Sequence, residues 1–175
     1  MAFKHLLLFE FVLSYNNFMD WSKVKYFRPE EFACKCSIHK NIPVYDMDES
    51  LVLTLDRFRS MLGVPILITS GYRCPEHNAA IGGAFNSFHT KKQAVDFTLS
   101  QTARTKLLTK LPEFYKFQAN GIERYIWALC EQCGFNGLGY YPAQNFFHVD
   151  MGNRFERWKK GADGKYIYIF GNSGE

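Results

Sequence analysis

Residues Ile66–Asp96 read ILITSGYRCPEHNAAIGGAFNSFHTKKQAVD, and a short echo, FFHVD, follows at Phe146–Asp150. Each stretch ends in a run with strand periodicity and polar residues on one face. In AVDFTL, Ala94–Leu99, a period of two puts Ala94, Asp96 and Thr98 on one side and Val95, Phe97 and Leu99 on the other. In FFHVD the same count sets Phe146, His148 and Asp150 against Phe147 and Val149. Asp96 and His148 are therefore expected to look into a cavity while their neighbours look into a core. His89 precedes Asp96 by seven residues, too far for one helical turn, so a loop must carry it back over the strand.

Two histidines and an aspartate brought together in this way suit a hydrolytic zinc ion, which keeps three protein ligands and leaves a fourth position for water. Val64–Thr69 reads as a buried strand, rich in β-branched residues, that delivers the chain to Ser70, Gly71, Tyr72 and Arg73. Most arginines are surface ion-pair partners, but one at the end of a buried strand is better placed for function, and its fork suits a carboxylate or an oxyanion. Gly82 and Gly83 free the loop that carries Ser87 and His89. His77 and Asn78 begin a short helix, with His77 structural. His5 and His39 lie outside every motif.

The pattern SGYR, PEHN, GGA, SxHxxxxAxD and HVD resembles the zinc D-alanyl-D-alanine peptidases, whose relatives include D-Ala-D-Ala dipeptidases, phage endolysins and the metal-binding signalling domain of hedgehog proteins. The resemblance runs from Phe27 to Trp158. It implies that His89, Asp96 and His148 are zinc ligands, that Arg73 stabilises the oxyanion or fixes a substrate carboxylate, and that Ser87 helps bind substrate. Two positions depart from the family pattern. Lys92 stands where the family usually has Gly, three residues after the first His. Asn145 stands where many members carry an acidic general base, three residues before the last His. Strand alternation offers Asp150 as the replacement base, or else as a partner that orients His148.

The rest of the chain frames this site. Asp48–Leu62 reads as a helix, with Leu51, Leu55, Phe58 and Leu62 at helical spacing, an aspartate cap and a terminal Gly63. Further helices are expected from about Thr102 to the break at Pro112 and from Ile122 to Cys133, and Pro29 starts a short one in YFRPEEF. FNGLGYY and NFFHVD read as two antiparallel strands joined through Pro142, and Tyr166–Phe170 as an edge strand before a frayed GNSGE. Trp158 is expected to pack across the base of the last ligand's strand, and Glu123 and Glu131 read as surface carboxylates.

In 175 residues with 47% hydrophobic content there is material for one core and one domain. A net charge of +4 and a cluster of Arg154, Arg157, Lys159 and Lys160 suggest a solvated face rather than a nucleic-acid surface. Five cysteines exclude a fully paired disulfide set within one chain. Cys34 and Cys36, with Cys130 and Cys133, are buried thiols or, if the fold gathers them, a second, structural zinc site. Cys74 reads as a packed small side chain beside Arg73. Residues 1–18 contain LLLFEFVL, too short to span a bilayer and lacking a small-residue cleavage site, so they are read as an N-terminal extension to a domain of residues 19–175.

The expectation is thus a single α+β domain, a mostly antiparallel sheet with helices packed on one side. By resemblance it would be a zinc peptidase for bacterial peptidoglycan peptides, as a D-Ala-D-Ala carboxypeptidase or a stem-peptide endopeptidase. The alternative, favoured by Asn145, is an inactive zinc-containing wall-binding or virion-associated module. No nucleic-acid partner and no stable membrane insertion are expected. The protein would be made in the cytoplasm and act at the cell wall, with a phage origin and delivery by lysis or virion compatible with the absent leader.

Overall fold

The computed structural model describes residues 19–170, so the expectations for residues 1–18 and for the GNSGE tail lie outside the described residues. The helix α1 (Glu49–Leu62) begins where the Asp48 carboxylate accepts the Leu51 N–H at 2.9 Å, and Gly63 ends it in a left-handed conformation. Its buried stripe of Leu51, Val52, Leu55, Phe58 and Leu62 faces inward. The helix α2 (Pro75–Ala80) follows the strand β1 (Leu67–Ser70), and α3 (Gln101–Lys110) follows β2 (Ala94–Thr98). A short α4 (Glu113–Lys116) leads into α5 (Gly121–Cys133), which packs on α1.

Four more strands complete one sheet: β3 (Gly137–Tyr141), β4 (Phe146–Asp150), β5 (Glu156–Lys160) and β6 (Tyr166–Phe170). Their order is β1-β2-β4-β3-β5-β6, antiparallel throughout except for the parallel β3–β5 pair. The α+β class and the one-domain architecture expected from the sequence are present. The core lies between the sheet and the long helices: Val95, Phe97, Phe147, Val149 and Leu138 point into it, and the Phe58 ring meets Phe97 at 5.3 Å and Phe135 at 6.4 Å. Among the described residues no helix is long and apolar enough to cross a membrane.

The opposite face is organised by register. Ser70 pairs with Asp96, Asp96 with His148, His148 with Gly139, Gly139 with Trp158 and Trp158 with Tyr168, so one rung crosses the whole sheet. The next rung runs Ala94, Asp150, Gly137, Glu156. Alternation within β2 and β4, read from the sequence, thus becomes alignment between strands.

Three expectations are corrected. β1 is shorter than Val64–Thr69 and is not a buried strand: Val64 and Ile66 are buried ahead of the ladder, Pro65 has no N–H to give it, and on β1 itself, at the sheet edge, Leu67 is half exposed. The basic cluster is not one solvated face: it lies on and before β5, Arg157 is 1% exposed, and its guanidinium donates to the Phe135 and Asn136 carbonyls at 3.0 and 2.6 Å. The proposed gathering of Cys34, Cys36, Cys130 and Cys133 does not occur. Cys130 and Cys133 lie on α5, where Cys133 Sγ is 3.7 Å from Met61 Sδ on α1, and burial pushes the Cys130 thiol well above its ordinary pKa. They are core side chains.

Candidate metal centre

Each ligand candidate arrives on a different support. β2 carries Asp96, β4 carries His148, and the loop after α2 returns His89 over both strands. His89 Nδ1 donates to the Gly71 carbonyl at 2.8 Å, which fixes the neutral ring with Nε2 free. His148 Nε2 donates to Asp150 Oδ2 at 3.0 Å, so its Nδ1 is the nitrogen that faces the other two side chains. His89 Nε2 and His148 Nδ1 are 3.2 Å apart, and Asp96 Oδ1 lies 3.2 Å from the first and 2.8 Å from the second. Donors at about 2.0–2.1 Å from a tetrahedral zinc would be separated by about 3.3 Å, so the triangle fits that ion. The structure therefore brings together the three residues singled out from the sequence.

The surroundings tune the triangle. All three side chains are buried. Burial alone would raise the Asp96 pKa, but attraction to the neighbouring His89 and the hydrogen bond donated by His148 Nδ1 hold its carboxyl well below the usual carboxylate range. Burial lowers the His89 pKa despite Asp96. For His148 burial again favours the neutral ring, but hydrogen bonds to Asp150 and Asp96 win and raise its pKa to about 9. Without metal, His148 is thus an imidazolium between two carboxylates, and its Nδ1 proton must leave before it can ligate. The raised pKa stabilises the metal-free fold fully below about 6.5, the unfolded value, and that contribution is lost as pH rises through about 9. Followed by NMR, the His148 ring of the metal-free protein should titrate near pH 9 and cease to titrate once zinc is added. A midpoint near 6.5 would contradict this geometry.

Arg73 lies beside the triangle. Its Nη2 meets Asp96 Oδ2 at 2.6 Å, Nε donates to Ser70 Oγ at 2.9 Å, and its backbone N–H donates to the His89 carbonyl at 3.2 Å. It holds the outer oxygen of the Asp96 carboxylate while the inner one faces the imidazoles. Ser87 stands at the turn before His89, and its Oγ accepts the His89 N–H at 3.3 Å. Both residues line a cavity of about 490 Å³ that opens on Asp96 and His148.

Asp150 does not line that cavity. It is fully buried, its Oδ2 on His148 and its Oδ1 accepting the Gly152 N–H at 2.9 Å, with Arg154 3.6 Å from Oδ2. The burial is permitted by glycines on β3. A Cβ on Gly137 would stand 2.0 Å from Asp150 Oδ2, and one on Gly139 would stand 2.4 Å from the Trp158 indole. Trp158 lies over Gly139 with its ring 5.2 Å from His148, forming cavity wall where the sequence reading had only a packing role. Gly137→Ala should therefore push the carboxylate off His148. Overpacking of this kind costs about 1–3 kcal/mol, and loss of a ligand's hydrogen-bond partner typically weakens metal binding about 10–100-fold. Unchanged zinc affinity in that variant would show that Asp150 does not hold the ring.

The departures from the family pattern acquire local reasons. Lys92 has φ +61°, the left-handed region that glycine favours, and Lys92 Nζ pairs with Asp46. Asn145 has φ +53° in the turn before β4, its side chain accepts from Arg104, and its carbonyl accepts the Thr98 hydroxyl at 2.6 Å. Asn145 does not line the cavity; the carboxylate there besides Asp96 is Glu156, paired with Arg154. Sequence reasoning missed Glu156, and the signal available was indirect: a Gly-x-Gly strand makes room for side chains from both neighbours. It also missed Asn78, whose buried amide donates to the Ala84 carbonyl at 2.9 Å and shapes the Ser87 loop.

Comparison with known proteins gives the same site a context. A family model for peptidase M15 matches residues 25–128. Peptidoglycan L,D-endopeptidase MepK of Escherichia coli K12 is 31% identical over 116 residues, 62% of this chain and 53% of that protein. The Shigella flexneri MepK matches to the same extent, and the probable MepK of Haemophilus influenzae is 31% identical over 117 residues. The chain spans about half the length of these curated relatives.

Proposed function

The chain belongs to the peptidase M15 family, and from that premise we propose that it is a zinc-dependent endopeptidase acting on peptide bonds of bacterial peptidoglycan. The observation that carries the reading is the donor triangle of His89 Nε2, Asp96 Oδ1 and His148 Nδ1, with sides of 3.2, 3.2 and 2.8 Å at the floor of an open cavity. The likeness to L,D-endopeptidases favours an internal bond over a terminal D-Ala.

His89, Asp96 and His148 would hold a zinc ion, which would supply Lewis acidity to polarise a carbonyl and lower the pKa of water toward about 7. The chain's own groups do the rest. Arg73 keeps Asp96 oriented, with its Nη1 3.5 Å from Asn78 Oδ1, and it lines the cavity, where its charge favours an oxyanion or a substrate carboxylate. Asp150 is a positioning residue: it sets the His148 tautomer and leaves Nδ1 toward the metal. Glu156, on the cavity wall, takes the proton of the attacking water and returns it to the leaving amine. Ser87 hydrogen-bonds the substrate backbone. Arg154 and Lys160 favour an anionic peptide, and Tyr141, Trp158 and Tyr166 give it an aromatic wall.

Two variants separate the carboxylates. Glu156→Gln should retain zinc and lose at least about 100-fold in kcat, the low end for removing a general base. Asp150→Asn should instead weaken zinc binding about 10–100-fold, with turnover partly restored by excess zinc. The reverse pattern would return the base to Asp150. Which bond is cut is decided by digesting defined muropeptides, one set monomeric with D-Ala-D-Ala ends and one cross-linked, and weighing the products. Conversion of cross-linked dimers to monomers is expected. Release of terminal D-Ala alone would make the protein a carboxypeptidase, and no product from zinc-loaded protein would leave a binding module.

A further inference from the structure

A second group of metal-ligating side chains lies outside the site described above. Cys34, Cys36 and His39 occupy the loop that follows the 3₁₀ turn at Pro29–Phe32, and Cys74 is the residue that caps α2. The sequence leaves Cys34 and Cys36 as buried thiols or as partners of the α5 cysteines, gives His39 no role and reads Cys74 as packing. In the fold one ligand atom from each of Cys34, Cys36, His39 and Cys74 lies within 4.8 Å of all the others.

The spacings discriminate between a metal site, a disulfide and plain thiol packing. Cys34 Sγ is 3.8 Å from Cys74 Sγ, Cys74 Sγ is 3.9 Å from Cys36 Sγ, and Cys36 Sγ is 3.0 Å from His39 Nδ1. A disulfide needs about 2.05 Å. Sulfurs bound at about 2.3 Å to a tetrahedral zinc are about 3.8 Å apart, and a sulfur and an imidazole nitrogen are about 3.5 Å apart. The two sulfur–sulfur distances match that edge, and the sulfur–nitrogen distance lies slightly inside it. Plain packing would not explain the polar surroundings. Each sulfur accepts one backbone N–H: Cys36 from His39 at 3.3 Å, Cys34 from Cys74 at 3.4 Å and Cys74 from His77 at 3.4 Å. Backbone donors aimed at sulfur favour thiolates, the form a metal requires.

We propose that Cys34, Cys36, His39 and Cys74 form a structural zinc site that ties the loop of residues 33–46 to the junction between β1 and α2. Four protein ligands close the coordination sphere, so the site has no position for substrate and its role is to hold the chain. What it holds matters for the first site. Cys74 follows Arg73, whose side chain grips Asp96 and whose N–H grips the loop at His89. Next to it the Tyr72 N–H donates to the Phe32 carbonyl at 2.9 Å, so the loop and the strand end are already one unit. A metal at this point fixes the backbone from which Arg73 reaches the metal centre.

The test reads sulfur ligation directly, because the His89, Asp96 and His148 site contains no sulfur. Full-length protein purified under reducing conditions is analysed for zinc, then exchanged with cobalt(II) and examined by absorption spectroscopy. The expected result is two zinc ions per chain and a thiolate-to-cobalt charge-transfer band in the near ultraviolet. His148→Ala should lose one equivalent and keep that band. Cys36→Ser and His39→Ala should each lose the other equivalent, and the band with it. The wild-type spectrum decides the matter even if a variant fails to fold. Cobalt uptake without a thiolate band, or a mass lower by two hydrogens that maps to a disulfide among Cys34, Cys36 and Cys74, would overturn the site. Failure of the peptidase assay with the band intact would instead count against the proposed function alone.

Discussion

His148→Ala should remove the metal from the His89–Asp96–His148 centre and reduce peptide cleavage to background. No other substitution is expected to cost as much activity, because His148 serves both sides of its ring. Its Nδ1 closes the donor triangle, 3.2 Å from His89 Nε2 and 2.8 Å from Asp96 Oδ1, and its Nε2 satisfies Asp150 at 3.0 Å. Alanine leaves two ligands, too few to retain zinc where three and a water are needed. It also leaves the Asp150 carboxylate fully buried beside only the Gly152 N–H and Arg154. Breaking a buried ion pair in that way costs about 3–5 kcal/mol. The metal-free variant should therefore melt lower than metal-free wild type. Metal analysis, turnover and calorimetry on the same preparation check all three effects, and cleavage at near wild-type rate would remove His148 from the ligand set.

Arg157→Met should be the most destabilising change away from the metal centre. Arg157 is 1% exposed, and its guanidinium donates to the Phe135 carbonyl at 3.0 Å, the Asn136 carbonyl at 2.6 Å and the Glu156 carbonyl at 2.9 Å, with Glu131 Oε1 at 3.1 Å from Nε. It thereby locks the end of α5 and the start of β3 to β5. Methionine fills much of the volume but donates nothing. A buried group left unsatisfied costs about 1–3 kcal/mol, so two or more carbonyls put the loss at about 3 kcal/mol. For a domain of this size that is a fall in Tm of about 6–12 °C. A shift below about 2 °C would mean that water or a neighbouring donor replaces the guanidinium.

These two residues mark the boundary of what the sequence discloses. His148 was legible because its information is local: FFHVD alternates, and alternation alone separates the cavity face from Phe147 and Val149. The same holds for α1, where Asp48, the apolar spacing and Gly63 state a start, a face and an end within one segment. Arg157 was not legible. Its neighbours Arg154, Lys159 and Lys160 give it the composition of a solvated run, and only the parallel pairing of β5 with β3 puts it inside. Glu156, and the place of Trp158 in the cavity wall, were hidden for the same reason, since their rungs with Asp150 and His148 depend on which strand lies beside β3. Asn145 was read as a missing base because its distance from His148 in the chain matches a family position; in the fold it is a left-handed turn residue bound to Arg104. Cys74 and His39 were overlooked because spacing within the chain says nothing about a contact made across 35 residues.

The most direct test of the account is digestion of purified bacterial sacculi by the zinc-loaded chain, with and without a chelator, followed by mass spectrometry of the released muropeptides. The account predicts new stem-peptide or cross-link ends that vanish with the chelator and return when zinc is restored. Product formation that the chelator leaves untouched would contradict a metal centre at His89, Asp96 and His148. The absence of product from several wall types, with zinc bound there, would contradict the peptidase itself.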